Sequence, residues 1–386
     1  MRSRLAHTVG VLVLLALVLS SSVLAQPAPT RPDAGGSIAS HGLPLWDHDL
    51  PDGIGNIGQY ASLALDAGDR PHISYYDVNN ADLRYAVREP SGWFRETVDS
   101  AGNVGLYTSI EVDVLGYPHI SYHAEDAGDL RYAYKDATGW HTETVVPDFH
   151  TGEYTSLELD MSGFPHISYY DATRGVLRYV RHDGTSWLPP EPVDDGVLAG
   201  LYSSLQLDLY GDPHISYYQA GNGDLRYASA DAYGWYTETV DSGGNVGGYT
   251  SMDLDAYSYP HIAYYDFDYG DLRYAYRDID GWHLWNLDSQ GDSGADCSLA
   301  LDSQGHAHIS YHDVTGAALR YVHLEGLNWR YQRVDRTALG QTGAFSSVAV
   351  TSRDLPRIAY YFNYLSDGYQ MYAEGTYGAF LPVLYR

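Results

Sequence analysis

The chain is poor in cysteine, in basic residues and in long apolar runs. Its single cysteine, Cys297, cannot form a disulfide within the chain, so burial and hydrogen bonding must stabilise the fold. Lys and Arg number 22 against 50 Asp and Glu, which gives a net charge of −28. A surface this acidic repels nucleic acids and anionic membranes, so we expect neither as a partner.

The one long apolar run lies at the N-terminus. Arg2 and Arg4 precede "VGVLVLLALVL" (9–19), and "VLA" (23–25) puts small residues at positions −3 and −1 of a cleavage site. This pattern predicts a signal peptide over residues 1–25 that is cleaved after Ala25, leaving a secreted protein. No later run reaches the roughly 20 apolar residues of a transmembrane helix, so we expect no membrane span. Residues 26–42, rich in Pro, Ala, Gly and Ser, are predicted to be a flexible linker.

The sequence is instead dominated by near-copies of "PHISYYD" (71–77). Their histidines are spaced by 47 or 48 residues: His72, His119, His166, His214, His261 and His308, with Arg357 in the seventh place, 49 residues further on. Each unit has four strand-like runs separated by Gly, Pro, Asp and Asn, which in the first unit are "YASLALD" (60–66), "HISYYD" (72–77), "DLRYAVR" (82–88) and "WFRETVD" (93–99). Four antiparallel strands in a unit of about 40–50 residues are typical of a β-propeller blade.

The tryptophans indicate how the ring closes. Trp46 precedes His72 by 26 residues, as Trp93 precedes His119. Unlike Trp93, Trp46 is not preceded by the first three strand-like runs of a unit. The seventh unit, in turn, has no tryptophan-bearing fourth strand. We therefore predict that "WDHDLPD" (46–52) completes the last blade, which removes the open sheet edges. The predicted fold is all-β, a seven-bladed β-propeller over residues 43–380 with a C-terminal tail at 381–386.

An aspartate, a histidine and a serine recur together in the units, beginning with Asp66, His72 and Ser74. An aspartate that fixes a histidine resembles two-thirds of a catalytic triad. An active site needs unlike residues in one pocket, however, and copies spread around a ring favour a structural clip. The predicted clip residues are Asp66, His72, Ser74, Asp113, His119, Asp160, His166, Asp208, His214, Asp255, His261, Asp302 and His308. The arginine of each "LRY", such as Arg84, is expected to pair with an aspartate such as Asp66 or Asp77.

A tryptophan opens the fourth strand of six units, and two interpretations of it stay open. Burying one ring removes roughly 150–250 Å² from water, which is reason enough for one tryptophan per blade. Exposed rings would instead be platforms on which sugars stack. On that second interpretation the candidate ligand-binding residues are Trp93, Trp140, Trp187, Trp235, Trp282 and Trp329.

The turns before these tryptophans, such as "DATGW" (136–140) and "RHDGTSW" (181–187), resemble the Asp-box or BNR repeat of sialidase-like propellers. The repeat has the pattern S-x-D-x-G-x-x-W; Asp183, Gly184 and Trp187 match it most fully, and the leading serine is absent. In that family the box is structural and lies away from the active face. The resemblance therefore implies the propeller fold and leaves activity open.

Acidic turns follow the second and the fourth strands, and in a propeller these turns share one end of the ring. "DFDYGD" (266–271) has the oxygen-rich composition of a calcium loop, with Asp266, Asp268 and Asp271 as candidate metal ligands. A solvated acidic face without metal is the alternative. No other cofactor is indicated.

The leading functional hypothesis is a secreted, monomeric, non-catalytic propeller that binds glycans or an extracellular protein through repeated blade sites. Near-identical blades, short equal turns and 38 tyrosines support it. No Gly-rich phosphate loop, H-E-x-x-H or G-x-S-x-G motif is present, and no catalytic residue is assigned. The alternatives are a sialidase-like glycoside hydrolase or polysaccharide lyase, and a structural or protein-interaction module.

Overall fold

The computed structural model describes residues 43–53, 55–148, 150–337, 340–364 and 367–376. The predicted signal peptide (1–25), linker (26–42) and tail (381–386) lie outside the described residues. In the described part, all regular elements are strands, and no helix that could cross a membrane is found.

The strands form seven four-stranded antiparallel sheets, each one a blade numbered from its inner strand outward. Blades one to three are β2 (Ile57–Leu65), β3 (Pro71–Asp77), β4 (Asp82–Glu89), β5 (Gly92–Asp99); β6 (Val104–Val112), β7 (Pro118–Ala124), β8 (Asp129–Asp136), β9 (Gly139–Val146); and β10 (Thr151–Leu159), β11 (Pro165–Asp171), β12 (Val176–Arg181), β13 (Glu191–Asp194). Blades four and five are β14 (Ala199–Leu207), β15 (Pro213–Gln219), β16 (Asp224–Asp231), β17 (Gly234–Asp241); and β18 (Val246–Leu254), β19 (Pro260–Asp266), β20 (Asp271–Asp278), β21 (Gly281–Asp288). Blade six is β22 (Ser293–Leu301), β23 (Ala307–Asp313), β24 (Ala318–Glu325) and β25 (Asn328–Arg336).

Blade seven confirms the predicted closure. It consists of β26 (Gln341–Val350), β27 (Pro356–Tyr364), β28 (Asp367–Thr376) and, as its outer strand, β1 (Leu45–Asp49). β1 pairs antiparallel with β28, from Leu45 opposite Thr376 to Asp49 opposite Tyr372. The two ends of the described chain thus share one sheet, and the seven-bladed propeller is confirmed.

The repeated "PHISYYD" segment is the second strand of its blade, and every residue of β3 is buried. This strand lies between two strands of its own sheet and packs against the neighbouring blades on both faces. Its near-identical recurrence follows from this position, because each copy must fill the same enclosed space.

A closed circle of serine hydrogen bonds joins the inner strands. The backbone N–H of Leu63 in blade one donates to Ser347 Oγ in blade seven, at 3.0 Å. The same bond recurs at 2.9–3.2 Å at the other six boundaries, from Ile110 to Ser62, Leu157 to Ser109, Leu205 to Ser156, Met252 to Ser204, Leu299 to Ser251 and Val348 to Ser298.

Candidate functional site: an aromatic ring around the central channel

Each inner strand carries one non-glycine residue in the left-handed region, with φ between 49° and 55°. These residues are Tyr60, Tyr107, Tyr154, Tyr202, Tyr249, Asp296 and Phe345, and we call them the channel ring. The strand register shifts around each of them, as in a β-bulge. A left-handed conformation costs a non-glycine residue about 1–3 kcal/mol, and such strain clusters at functional sites. The repetition at one level of the channel makes the ring the first candidate site.

A glycine two residues earlier allows each bulge. Gly105 has φ of +102°, and a Cβ on it would lie 2.8 Å from the Leu83 Cα of the preceding blade. The equivalent glycines are Gly58, Gly152, Gly200, Gly247, Gly294 and Gly343, each with a neighbouring Cα 2.7–2.8 Å from the position that a Cβ would take. The spacing Gly-x-Tyr is therefore visible in the sequence, although by itself it does not indicate a site.

The rings of the channel ring pack against one another as a tilted series. Centroid distances run from 4.6 Å, between Tyr107 and Tyr154, to 4.9 Å, between Phe345 and Tyr60. Interplanar angles lie between 46° and 56°. The series lines a cavity of about 220 Å³, together with small side chains from the next position of each strand, among them Thr108, Ser203 and Cys297.

Burial raises the pKa of the five ring tyrosines above the ordinary value of 10.0, so their hydroxyls stay protonated at neutral pH. The neighbouring tyrosine of the series also contributes to the pKa shift of Tyr60, Tyr107, Tyr154 and Tyr202. Each hydroxyl can donate and accept. The cavity therefore offers aromatic faces and neutral hydroxyl groups.

Asp296 interrupts the aromatic series in blade six. Burial raises the pKa of its carboxyl, against the opposing effects of the Phe345 backbone N–H and of His312. Its neighbour Cys297 lies against the Tyr249 carbonyl oxygen, with Sγ at 3.0 Å, and burial raises the pKa of this thiol. Blade six thus gives an otherwise uniform ring one acidic position.

Four residues further along the inner strands lies a second polar layer of the channel. Adjacent blades contribute Glu111, Glu158, Gln206 and Asp253. Gln206 Nε2 donates to Glu158 Oε1 at 2.8 Å, and Asp253 accepts the backbone N–H of Leu301 at 2.8 Å. Burial raises the pKa of Glu111 to about 8 and that of Asp253 to about 6. No group of three or more His, Cys, Asp and Glu side chains with metal-binding geometry was found among the described residues.

A polar cluster also lies beside the channel ring in blades two and three, where His123 replaces a tyrosine. The rings of His123 and Tyr107 are 6.3 Å apart. His123 Nδ1 donates to the Thr151 carbonyl at 2.8 Å, and Nε2 lies 3.1 Å from Glu125 Oε2. Burial raises the pKa of nearby Glu153, and the charge of Glu125 adds to this effect while His123 opposes it. The cluster combines an imidazole with two carboxyl groups.

The six candidate tryptophans lie at six different blade boundaries and are not brought together. All are partly buried. Five of them pack edge-on against the "LRY" tyrosine of the preceding blade, as Trp140 does on Tyr85, and Trp93 packs on Tyr372 at the equivalent place in blade seven; the centroids are 5.1–5.4 Å apart. Trp93, Trp140, Trp187 and Trp235 also donate Nε1–H to a carboxylate of that blade. Trp46 packs on Tyr321 at the remaining boundary, at 5.2 Å.

The aspartate and the histidine of the predicted clip lie near each other, but the short hydrogen bonds of the histidine and the serine are to residues outside the clip. His72 Nδ1 bonds the Tyr85 hydroxyl at 2.6 Å, whereas its Nε2 lies 3.6 Å from Asp66 Oδ2. The other repeat histidines bond their "LRY" tyrosines in the same way. Ser74 bonds Thr108 of the next blade at 2.5 Å, away from the histidine. Burial lowers the pKa of His72 to about 4, so this imidazole is neutral at pH 7.

The candidate calcium residues are all engaged by protein groups. Asp266 accepts the backbone N–H of Asp268 at 2.9 Å and pairs with Arg273. Asp268 accepts the backbone N–H of Asn245 at 2.9 Å, and Asp271 accepts Asn286 Nδ2 at 2.7 Å. One of these bonds lies within the turn, and the others join its carboxylates to Arg273, to Asn245 before β18 and to Asn286 of β21.

No protein-family model matches the chain, and no curated protein sequence matches it. Solved structures do match. The β-propeller domain of Cps50 (Swd1) from Myceliophteria thermophila aligns with a TM-score of 0.54 at 11% identity, over 84% of this chain and 99% of that one. A protein of unknown function from Dyadobacter fermentans DSM 18053 gives 0.54 at 11% identity, over 86% and 98%. The polysaccharide lyase Uly1 gives 0.50 at 10% identity, over 80% and 88%.

At such identities the likeness shows the fold alone. The sialidase resemblance, which was drawn from the turns before the tryptophans, has no family model behind it. A mutant of Trypanosoma rangeli sialidase aligns with a TM-score of 0.46, and the fucose-specific lectin from Aleuria aurantia with 0.48.

Proposed function

We propose that this chain is a secreted, monomeric, non-catalytic propeller that binds carbohydrate at the channel ring. The observation that carries the proposal is the ring itself. Seven left-handed residues, held by seven glycines, place six aromatic side chains and one carboxyl group around a single cavity.

The chemistry of the cavity suits a sugar. Aromatic faces stack on the C–H faces of a pyranose, while the protonated tyrosine hydroxyls and Asp296 bond its hydroxyl groups. The volume of about 220 Å³ lies below the roughly 300–1,000 Å³ of pockets that hold drug-sized ligands, which favours one sugar ring or a chain end. A polysaccharide lyase among the similar folds fits a carbohydrate ligand for this architecture.

The proposal places one site on the chain in place of repeated blade sites. The tryptophans that would form blade sites pack into the boundaries between blades, whereas the cavity lies on the axis that all blades share. Calcium at the acidic turns is a separate element of the proposal, which the test below includes.

The test is a glycan array probed with residues 26–386, in calcium and in chelator. Asp296→Asn changes the acidic ring position, and Asp280→Asn makes the same charge change at an exposed turn as the matched control. Carbohydrate binding that is weakened by Asp296→Asn and kept by Asp280→Asn supports the proposal. A blank array in both conditions contradicts it and favours a protein-interaction module. Loss of binding in chelator would support the calcium element.

A second candidate is an enzyme, a glycoside hydrolase or polysaccharide lyase, and the cluster of His123, Glu125 and Glu153 favours it. These groups could transfer protons beside a sugar held at the ring. Incubation with a polysaccharide panel, followed by assays for reducing ends and for unsaturated products, tests this candidate. Turnover that is lost in Glu153→Gln, with binding retained, would establish it against the lectin-like proposal.

A further inference from the structure

Blades two and five each contain a stack of three aromatic rings on neighbouring strands. In blade five, the ring of Tyr276 lies 5.8 Å from that of His261 and 4.7 Å from that of His283, with interplanar angles of 26° and 17°. Blade two repeats the stack, at 6.2 Å and 4.8 Å, with His119, Tyr134 and His141. In both blades the middle ring is a half-buried tyrosine of the third strand.

Blade four has the two outer rings of this stack without the middle one. Its register pairs His214 with Ser229, and Ser229 with the 54% exposed Tyr236. The position of Ser229 is taken in the other blades by Val87, Tyr134, Arg181, Tyr276, His323 and Glu374. Serine is the smallest of these side chains and lacks the six-membered ring, so the stack of blade four is incomplete.

A cavity lies where the middle ring is missing. It has a volume of about 310 Å³ and is lined by His214, Tyr227 and Ser229 of blade four and by the turns at Ser258–Pro260 and Arg277–Ile279 of blade five. A cavity of about 150 Å³ in a protein core is enough to hold benzene. Ser229 is partly exposed, so the cavity can be reached from solvent. A single ring therefore has both room and access beside Ser229.

The cavity offers aromatic surface and one polar atom without a close partner. His214, Tyr227 and Tyr259 supply aromatic rings. His214 Nδ1 is hydrogen-bonded to the Tyr227 hydroxyl, whereas His214 Nε2 lies 3.9 Å from Asp208 Oδ2, beyond hydrogen-bond distance. These walls suit an aromatic ring that carries a hydroxyl group.

The charged groups that line the cavity are paired within the protein. Arg277 Nη1 donates to Glu238 Oε1 at 2.6 Å. Asp278 accepts the backbone N–H of Asp280 at 2.8 Å and lies 2.9 Å from His283 Nε2. Neither charge needs a counter-ion from outside, so the cavity favours an uncharged ligand.

We propose that the cavity beside Ser229 binds one uncharged phenol ring, which a small phenolic compound or the tyrosine side chain of a peptide can supply. The ring completes the stack of blade four between His214 and Tyr236, as Tyr276 does in blade five. Both complete stacks use tyrosine as the middle ring, and this selects a phenol. The site lies between blades four and five and does not depend on the function proposed for the channel ring.

The test is equilibrium dialysis of residues 26–386 against radiolabelled p-cresol, which is the tyrosine side chain as a free compound. 4-Methylcyclohexanol, with the same substituents on a saturated ring, is the competitor that cannot stack. Ser229→Tyr fills the cavity from within the chain, and it should fold because blades two and five carry tyrosine at this position. Tyr276→Ser makes the converse change in blade five, and Ser162→Tyr is the matched control at an exposed turn.

The expected result is one p-cresol per chain that 4-methylcyclohexanol does not displace. Binding should be at least tenfold weaker in Ser229→Tyr, unchanged in Ser162→Tyr and Asp296→Asn, and doubled to two p-cresol per chain in Tyr276→Ser. Displacement of p-cresol by N-acetyl-tyrosinamide would assign the site to a peptide tyrosine, and binding of p-cresol alone would assign it to a free phenol. No binding of p-cresol by the wild type, or unchanged binding in a folded Ser229→Tyr variant, would overturn the proposal.

Discussion

Replacement of Asp99 by valine converts the boundary between blades one and two into the arrangement found naturally between blades two and three, where Val146 stands at the place of Asp99. The change removes an acceptor for the Tyr122 hydroxyl and for Arg131. Hydrogen bonds to charged groups contribute about 1.5–3 kcal/mol each, and removing one partner of a buried ion pair costs about 3–5 kcal/mol. Because 20% of the Arg131 side chain is exposed, water relieves part of this loss. We expect Asp99→Val to lower the free energy of unfolding by about 2–4 kcal/mol.

The double-mutant cycle with Arg131→Met measures whether the two groups act through each other. Arg131→Met leaves Asp99 with one tyrosine, as Asp335 is left with Tyr360 in blade seven at 2.9 Å. We therefore expect the single change to cost about 1–2 kcal/mol, and the double variant to lose less than the sum by about 1–3 kcal/mol.

The assay is equilibrium unfolding in urea, followed by tryptophan fluorescence and by circular dichroism. Coincident transitions justify a two-state free energy. Additive losses, within about 0.5 kcal/mol, would show that Asp99 and Arg131 do not stabilise the boundary jointly. Val146→Asp is the converse variant, and the same reasoning predicts that it raises the free energy of unfolding.

Three further predictions concern pH and the channel. Burial lowers the pKa of His72 and His166 to about 4, so between pH 6.5 and 4 the unfolded chain binds protons that the folded chain does not bind. The free energy of unfolding should therefore fall as pH falls through this window, by about 1.4 kcal/mol per pH unit for each histidine. His72→Gln should reduce that slope, measured by urea unfolding. Burial raises the pKa of Glu111 to about 8, so the folded chain keeps a proton that the unfolded chain releases above about 4.5, and stability should fall as pH rises to 8. Burial also raises the pKa of Glu158 and of Asp253, so Glu111→Gln should make this decline shallower without removing it, whereas an unchanged pH profile would contradict the assignment. Gly105→Ala should lower the free energy of unfolding by more than about 3 kcal/mol, because the new Cβ would meet backbone of the preceding blade. Gly139 also has a positive φ, but a Cβ there would have no atom within 4 Å, so Gly139→Ala should cost only about 1–2 kcal/mol. Equal losses in thermal unfolding would contradict the steric argument.

The fold could be predicted from the sequence because the strands that pair within a blade are close together in the sequence. In six of the seven blades all four strands lie within one period, and Trp46 stands in phase with the later tryptophans, so the count and the closure followed from spacing. Contacts across blade boundaries could not be predicted in the same way. Arg84 pairs with Asp52 of the preceding blade, at 3.0 Å, and Asp66, one of its expected partners, binds Arg70 instead.

The candidate site could not be predicted for a related reason. The spacing of Gly58 and Tyr60 recurs in the sequence, but only the backbone shows that the glycine permits a bulge and that the next residues converge on the channel. The tryptophans are large and periodic, which makes them conspicuous in the sequence, but their packing partners belong to the neighbouring blade. Asp296 is visible in the sequence as an irregularity of the repeat, but only the structure shows that it lies in the channel ring.

The central claim is that one carbohydrate site lies on the axis of the propeller. Isothermal titration of residues 26–386 with a glycan identified on the array measures it directly. One ligand per chain, with affinity reduced in Asp296→Asn and kept in Trp140→Phe, is the result that this account predicts. Six or seven equivalent sites, or a loss of affinity in Trp140→Phe with none in Asp296→Asn, would contradict it and place binding on the blades.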